Sequence, residues 1–228
     1  KPFLQGSDIR QFHNEDSAYR LLFPYRKVND KYNLIAVDEF KESFPLAFAY
    51  VRKLKEDLEK RKIKTDESTF FKFSAARSLN EYETKKVLIP DVLVENRISI
   101  DSEGKYFHGP SIHGLILKEE YSLNNLKCTL GILNSNLFWL YITSTSTAVR
   151  GDAYRLTPMY VNPFPLILNK NKQLETKIKN MVELILTAKE ENPEADTSEL
   201  EAEIDQLVHE LYGLSEEEIG IIEETVGV

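Results

Sequence analysis

Apolar positions recur with two different spacings along this chain, and the change of spacing divides it. Early on, residues 17–26 and 32–40 are short runs rich in β-branched and aromatic side chains, separated by the turn-forming Val28-Asn29-Asp30-Lys31, which predicts a hairpin. The spacing then lengthens. Leu46, Tyr50, Leu54 and Leu58 recur every fourth residue with charge on the other face, Ser43 is placed to cap and Pro45 suits a first turn, so a helix packing through these four side chains is expected. Strand patterns return in residues 69–74, 85–96, 98–108 and 112–118, punctuated by Pro90, Gly104 and Gly109-Pro110. A second helix is expected over 122–142, and residues 160–168 read as an edge strand because their prolines cannot donate into a ladder. The remainder is helical. Residues 172–191 are amphipathic and end before Pro193; Ser198 with Glu201 opens a helix closed by Gly213, and Ser215 with Glu218 forms a capping box for a last short one. The order predicts an α+β fold, a mostly antiparallel sheet with packed helices, in which residues 1–168 form the main domain and 169–228 a helical C-terminal appendage.

One helix carries an anomaly. On a wheel over 130–141, Leu130, Leu133, Leu137, Leu140 and Tyr141 fall together with Asn134 among them, while Ile132 and Trp139 point the opposite way. A helix apolar on both sides is buried on both sides, so Asn134 is expected inside, tying the helix to a neighbouring backbone segment, with Gly131 and Ser135 permitting close approach.

Charge changes the picture more than composition does. The formal net charge is -8, but residues 1–168 hold 24 Lys+Arg against 21 Asp+Glu, whereas residues 169–228 hold 5 lysines against 16 acids. A phosphate backbone would be repelled by the second segment, so any nucleic-acid surface is expected before about residue 168. The lone Cys128 excludes a disulfide framework and a multi-cysteine zinc site, and points to the cytoplasm. No apolar run has the length of a membrane span, and the opening at Lys1 reads as a fragment of a longer protein.

The order Leu130-Gly131-Ile132-Leu133-Asn134-Ser135, a Ser/Thr tract, "RGDAYRLTPMYVNPFPL" and a Gln-started amphipathic helix is similar to the target recognition domains of restriction-modification enzymes. More narrowly, with "FLQGSDIRQF", "LLFPYR", "FPLAFAYVRKLKEDLEKR" and "FFKFSAARSLNEYETKKVLIP" in the same order, most of the chain resembles the TaqI-like C-terminal specificity domain of adenine-N6 DNA methyltransferases, some of them fused to an endonuclease. The chain departs from that family at Phe70-Phe71, where a Trp-led pair is usual, and at Ala76-Arg77-Ser78. The resemblance implies a domain without catalytic groups of its own, holding double-stranded DNA against a methyltransferase domain of the parent chain that uses S-adenosylmethionine, with Mg²⁺ if the parent also cleaves. The alternatives are the specificity subunit of a type I restriction system and a protein-interaction module.

The catalytic motifs are missing here. The nine glycines never form Gly-x-Gly and there is no Pro-Pro, so neither a cofactor-binding turn nor an Asn-Pro-Pro-aromatic motif is present; Asn162-Pro163-Phe164 is read as part of the edge strand. Pro90-Asp91 with Glu95-x-Arg97 is too tightly spaced for a nuclease metal site, and His13, His108, His113 and His209 lack thiols or carboxylates at metal spacing. For reading DNA, arginine or lysine suits guanine, asparagine suits adenine, and cations with small hydroxyls grip phosphates. Two loops offer that mixture: residues 70–86 with Lys72, Arg77, Asn80, Lys85 and Lys86, and residues 143–155 with Arg150 and Arg155. Arg10 and Arg26, near the first turns, complete the set of candidate DNA contacts.

Overall fold

Asn29 and Asp30 both adopt positive φ, 49° and 57°, the mirror-image turn that matches strand twist, and they close the expected hairpin. This computed structural model describes residues 1–149 and 151–226. In chain order, short strands β1 (Phe3–Leu4), β2 (Ile9–Arg10) and β3 (His13–Asn14) precede the hairpin strands β4 (Tyr25–Val28) and β5 (Lys31–Leu34). Helices α1 (Val37–Ser43), α2 (Pro45–Lys53) and α3 (Lys55–Glu59) follow, so the second apolar run turns helical at Val37 instead of continuing as strand. Then come β6 (Lys86–Pro90), β7 (Val92–Leu93), β8 (Ser99–Asp101), β9 (Phe107–His108) and β10 (Ile112–Leu115), the paired helices α4 (Leu123–Asn134) and α5 (Asn136–Thr145), β11 (Tyr154–Arg155) and α6 (Pro158–Val161). The long helices α7 (Lys172–Glu191), α8 (Ser198–Tyr212) and α9 (Glu216–Val226) close the chain.

The fold is α+β, with β6 at the centre of the antiparallel order β10-β6-β8 and antiparallel pairs β11-β7, β2-β3 and β4-β5 around it; β1 and β9 pair in parallel. One core joins Val87 and Ile89 of β6 to Leu130 and Ile132 of α4 and to Ile178, Val182 and Ile185 of α7. Gly131 makes that packing possible: a Cβ there would lie 2.7 Å from Ile178 Cγ2 and 3.0 Å from Val182 Cγ2. A second, aromatic core gathers Phe40, Phe48, Val51, Phe70 and Phe71.

Two expectations fail for definable reasons. The α2 region buries Phe48 and Val51, while Leu46 is 87% exposed and Tyr50 and Leu54 are exposed beside it; the helix also breaks at Leu54, so the four-residue spacing never forms one inward face. Residues 69–74 and 160–168 are not strands. Pro158 opens a short helix whose N–H groups at Tyr160 and Val161 bond to Thr157 O, and Phe164 packs on Phe138 and Tyr141.

Asn134 does what its position on the wheel requires. It is 8% exposed; its Oδ1 accepts from Ile98 N–H at 3.0 Å, and its Nδ2 donates to Ile98 O at 3.0 Å and Leu130 O at 3.2 Å. Ser135 then interrupts the helix, its Oγ capping Phe138 N–H, and Asn136 donates from N and Nδ2 to Asp205 of α8 at 2.8 and 2.9 Å. The three polar residues at the middle of an apolar helix are thus a tether, a joint and a strut. Gly213 in the left-handed conformation and the Ser215–Glu218 box end and begin helices as predicted.

Candidate nucleic-acid interface

The loop leading into β6 is shaped by the β4–β5 hairpin. Phe73 N–H donates to Tyr25 Oη at 2.7 Å, Asn80 Nδ2 donates to Asp30 O at 2.6 Å, and Arg61 splits its donors among Leu58 O, Phe70 O and Lys72 O. Ser78 adopts a φ of 51°, which turns the loop outward between these anchors. The side chains left over are cations: Arg77 and Lys85 are exposed, Lys72 is half-buried, and none meets a carboxylate within 4 Å among the described residues. Asn80 is otherwise engaged. Its amide donor holds the hairpin tip, so pairing with adenine through donor and acceptor together would break that bond.

Lys86 requires correction. It was expected in the DNA-facing set with Lys85, but β6 is buried on both faces and Lys86 lies at 1% exposure, opposite Asp101 in the register. Its Nζ donates to Asp101 Oδ2 at 2.7 Å and Tyr82 O at 2.7 Å, while Asp101 also accepts from the N–H groups of Gly104, Lys105 and Tyr106. It is a core ion pair and cannot reach a phosphate.

At the other end of β6, Asp91 holds a small polar cluster. Its backbone is clamped on both sides, N–H to Ser111 O and carbonyl to Leu156 N–H, which fixes the carboxylate. Oδ1 meets His113 Nε2 at 2.9 Å and Oδ2 meets Arg155 Nη1 at 3.4 Å, all three residues being partly exposed. Arg155 therefore gives up one long bond and keeps the rest of its guanidinium fork available. Beside it, the Ser/Thr tract is a tight turn: Val149 N–H donates to Ala153 O, Ser146 Oγ donates to Arg155 O at 2.6 Å, the Thr147 and Tyr160 hydroxyls bond, and Gly151 takes a φ of 77°. Arg150 lies outside the described residues. The six residue steps from Lys85 to Asp91 place the two cationic ends on the order of 20 Å apart.

The other candidates are already paired. Arg26 forms an ion pair with Glu39, and Arg10 pairs with Glu15 at 2.6 Å. The sequence offers Asp91 and His113 only separately, each set aside as a metal ligand, because the two lie 22 residues apart and only the β6–β10 register brings them together. At Asn162-Pro163-Phe164 the aromatic ring is buried against Phe138, Tyr141 and Tyr212, so this segment is part of the core.

The central strand of this α+β scaffold thus ends in exposed cations at one side and an oriented arginine at the other. The chain belongs to the family of TaqI-like C-terminal specificity domains, which residues 1–166 match. Among solved structures its fold is similar to that of the type IIL restriction-modification enzyme MmeI in complex with DNA, with a TM-score of 0.57 and 16% identity over 99% of this chain and 31% of that one. The chain thus spans about a third of that enzyme's length. No curated protein matches it.

Proposed function

We propose that this chain is the DNA-reading part of a type II restriction-modification enzyme of the cytoplasm, holding a duplex so that a separate domain of the parent, loaded with S-adenosylmethionine, methylates a flipped adenine at N6. The same parent couples this to cleavage only if it carries a further domain for it. The observation that supports the reading best is Arg155, aimed by Asp91 with its fork free, beside a hydroxyl-lined turn. A guanidinium presented this way suits the two acceptors of guanine in the major groove. Arg77, Lys85 and Lys72 would grip the duplex at the far end of β6, about 6 base pairs away at 3.4 Å per pair. Flipping a base costs a few kcal/mol, and contacts made only at the correct sequence offset it, which is how a domain without catalytic groups sets an enzyme's specificity. The acidic helices α7 to α9 would face away from the phosphates.

The test is selection of bound duplexes from a randomised pool by the full-length parent, wild type and variant. Arg155→Ala should flatten the preference at one guanine and weaken cognate binding by about 1–3 kcal/mol, whereas Lys85→Ala should weaken all sequences alike and lower the salt slope by about 1. A wild-type protein that enriches nothing and shows no salt-dependent affinity would overturn the proposal in favour of a protein-interaction module. A second copy of this domain in the parent, without a methyltransferase domain, would favour a type I specificity subunit.

A further inference from the structure

The β2–β3 hairpin turns at Gln11-Phe12, and Phe12 is held at a φ of 58°, a conformation that costs a bulky residue energy. Two contacts hold it there. Its N–H donates to Ile98 O at 3.0 Å and its ring is buried in the main core, while Ile98 is itself gripped through N–H and carbonyl by the Asn134 side chain. This pinning brings together Arg10, two residues before Phe12, and Arg97, next to Ile98. Both guanidiniums donate from Nη1 to the same acceptor, Ile9 O, at 3.0 and 3.2 Å.

The two arginines line a groove of about 710 Å³ with Gln11, Asn96, Asn136 and Trp139. Arg10 has Glu15 at 2.6 Å, but Arg97 has no carboxylate within 4 Å among the described residues, and its Nε is buried without an acceptor. The remaining acids of the groove, Glu95 and Glu194, are exposed, and Lys189 adds a further cation, its Nζ on Ala195 O. Of the two guanidiniums converging on one neutral carbonyl, Arg10 already holds Glu15 and Ser7 O, both at 2.6 Å, so it is Arg97 that lacks a counter-charge. A half-buried guanidinium without one is costly, and a tetrahedral oxyanion bridging both forks would supply it.

We propose that Arg10 and Arg97 form a phosphate-binding site, for either a backbone phosphate of nucleic acid or free phosphate. The site is separate from the two ends of β6 and stands whether or not those ends read bases. Trp139, the one tryptophan of the sequence, lines the same groove and reports on it. The intact protein is titrated with sodium phosphate against sodium chloride at matched ionic strength, and then with a short duplex of arbitrary sequence at several salt concentrations, following tryptophan fluorescence. Wild type should saturate with at least one of the two probes. Arg97→Gln should raise the half-saturating concentration about ten-fold or more, and Glu15→Gln, which releases Arg10, should lower it. Arg97→Lys keeps the charge and controls for folding. A duplex salt slope reduced by about 1 in Arg97→Gln assigns the site to a backbone phosphate; saturation by phosphate with an unchanged slope assigns it to the free ion. Absence of saturation with both probes, or superimposable titrations of wild type and folded Arg97→Gln, overturns the site.

Discussion

Lys85 and Lys86 are neighbours of identical chemistry with opposite predicted behaviour, and substituting each by methionine separates surface from core. Lys86→Met keeps most of the buried aliphatic volume and removes the charge. Asp101 then loses its cation at 2.7 Å, and the Tyr82 carbonyl loses its donor at 2.7 Å. Breaking one half of a buried ion pair costs about 3–5 kcal/mol. Asp101 retains the N–H groups of Gly104, Lys105 and Tyr106 at 2.9, 3.0 and 2.9 Å, which continue to solvate its carboxylate, so the lower end, about 3 kcal/mol, is expected. For a chain of this size that lowers Tm by about 6–12 °C. Lys85→Met, at an exposed position, should stay within about 0.5 kcal/mol of wild type. The assays are urea and thermal unfolding of both variants, with duplex affinity at several salt concentrations measured where both remain folded. Lys85→Met should lose about one unit of salt slope and Lys86→Met none. A Lys86→Met protein as stable as wild type but with a reduced slope would refute the buried-pair argument.

Other outcomes follow from the same structure. Asn134→Ala strands the buried N–H of Ile98, and with its lost bonds should cost about 2–4 kcal/mol in chemical unfolding; Asn134→Asp, which keeps one acceptor but buries a charge, should be no better. Burial raises the Asp205 carboxyl to about 6, above its unfolded value near 4, so its contribution to stability is greatest below about pH 4 and declines as pH rises through about 6. Asp205→Asn should remove that decline, worth on the order of 2 kcal/mol, from stability measured across this range. His209, one turn along α8, is lowered by burial and acts in the opposite sense, losing stability as pH falls below the ordinary histidine value, so the pH series is best compared between Asp205→Asn and wild type.

The parts of the fold legible in the sequence are those where local chemistry decides. Asn29-Asp30 fixes its hairpin, Gly213 and the Ser215–Glu218 box punctuate the last helices, and Asn134 stands out because a lone amide on an apolar face must find partners within the core. The misreadings arise where a residue's partner is far along the chain. Leu46, Tyr50 and Leu54 have an acceptable helical spacing, yet the neighbours that select the inward face, Phe40, Phe70 and Phe71, come from outside the helix and match Phe48 and Val51. Lys86 resembled its neighbour until strand register set it against Asp101. Its burial follows from the second face of β6 being covered as well, where Leu88 packs with Leu4, Ile9 and Ile112. The Asp91 cluster and the Arg10–Arg97 convergence depend on pairing across 22 and 87 residues, which no local pattern encodes.

The family match stops at residue 166, six residues before α7 begins, yet Ile178, Val182 and Ile185 of that helix close over Leu130 and Gly131. Anyone grafting this reader onto a new catalytic partner at the edge of the match would deliver α4 stripped of its cover, greasy side to water, and with it the tether that sets Ile98 and the strut that sets Asn136. The transplantable part therefore extends through α8, and the acidic helices travel with the reading head as its keel.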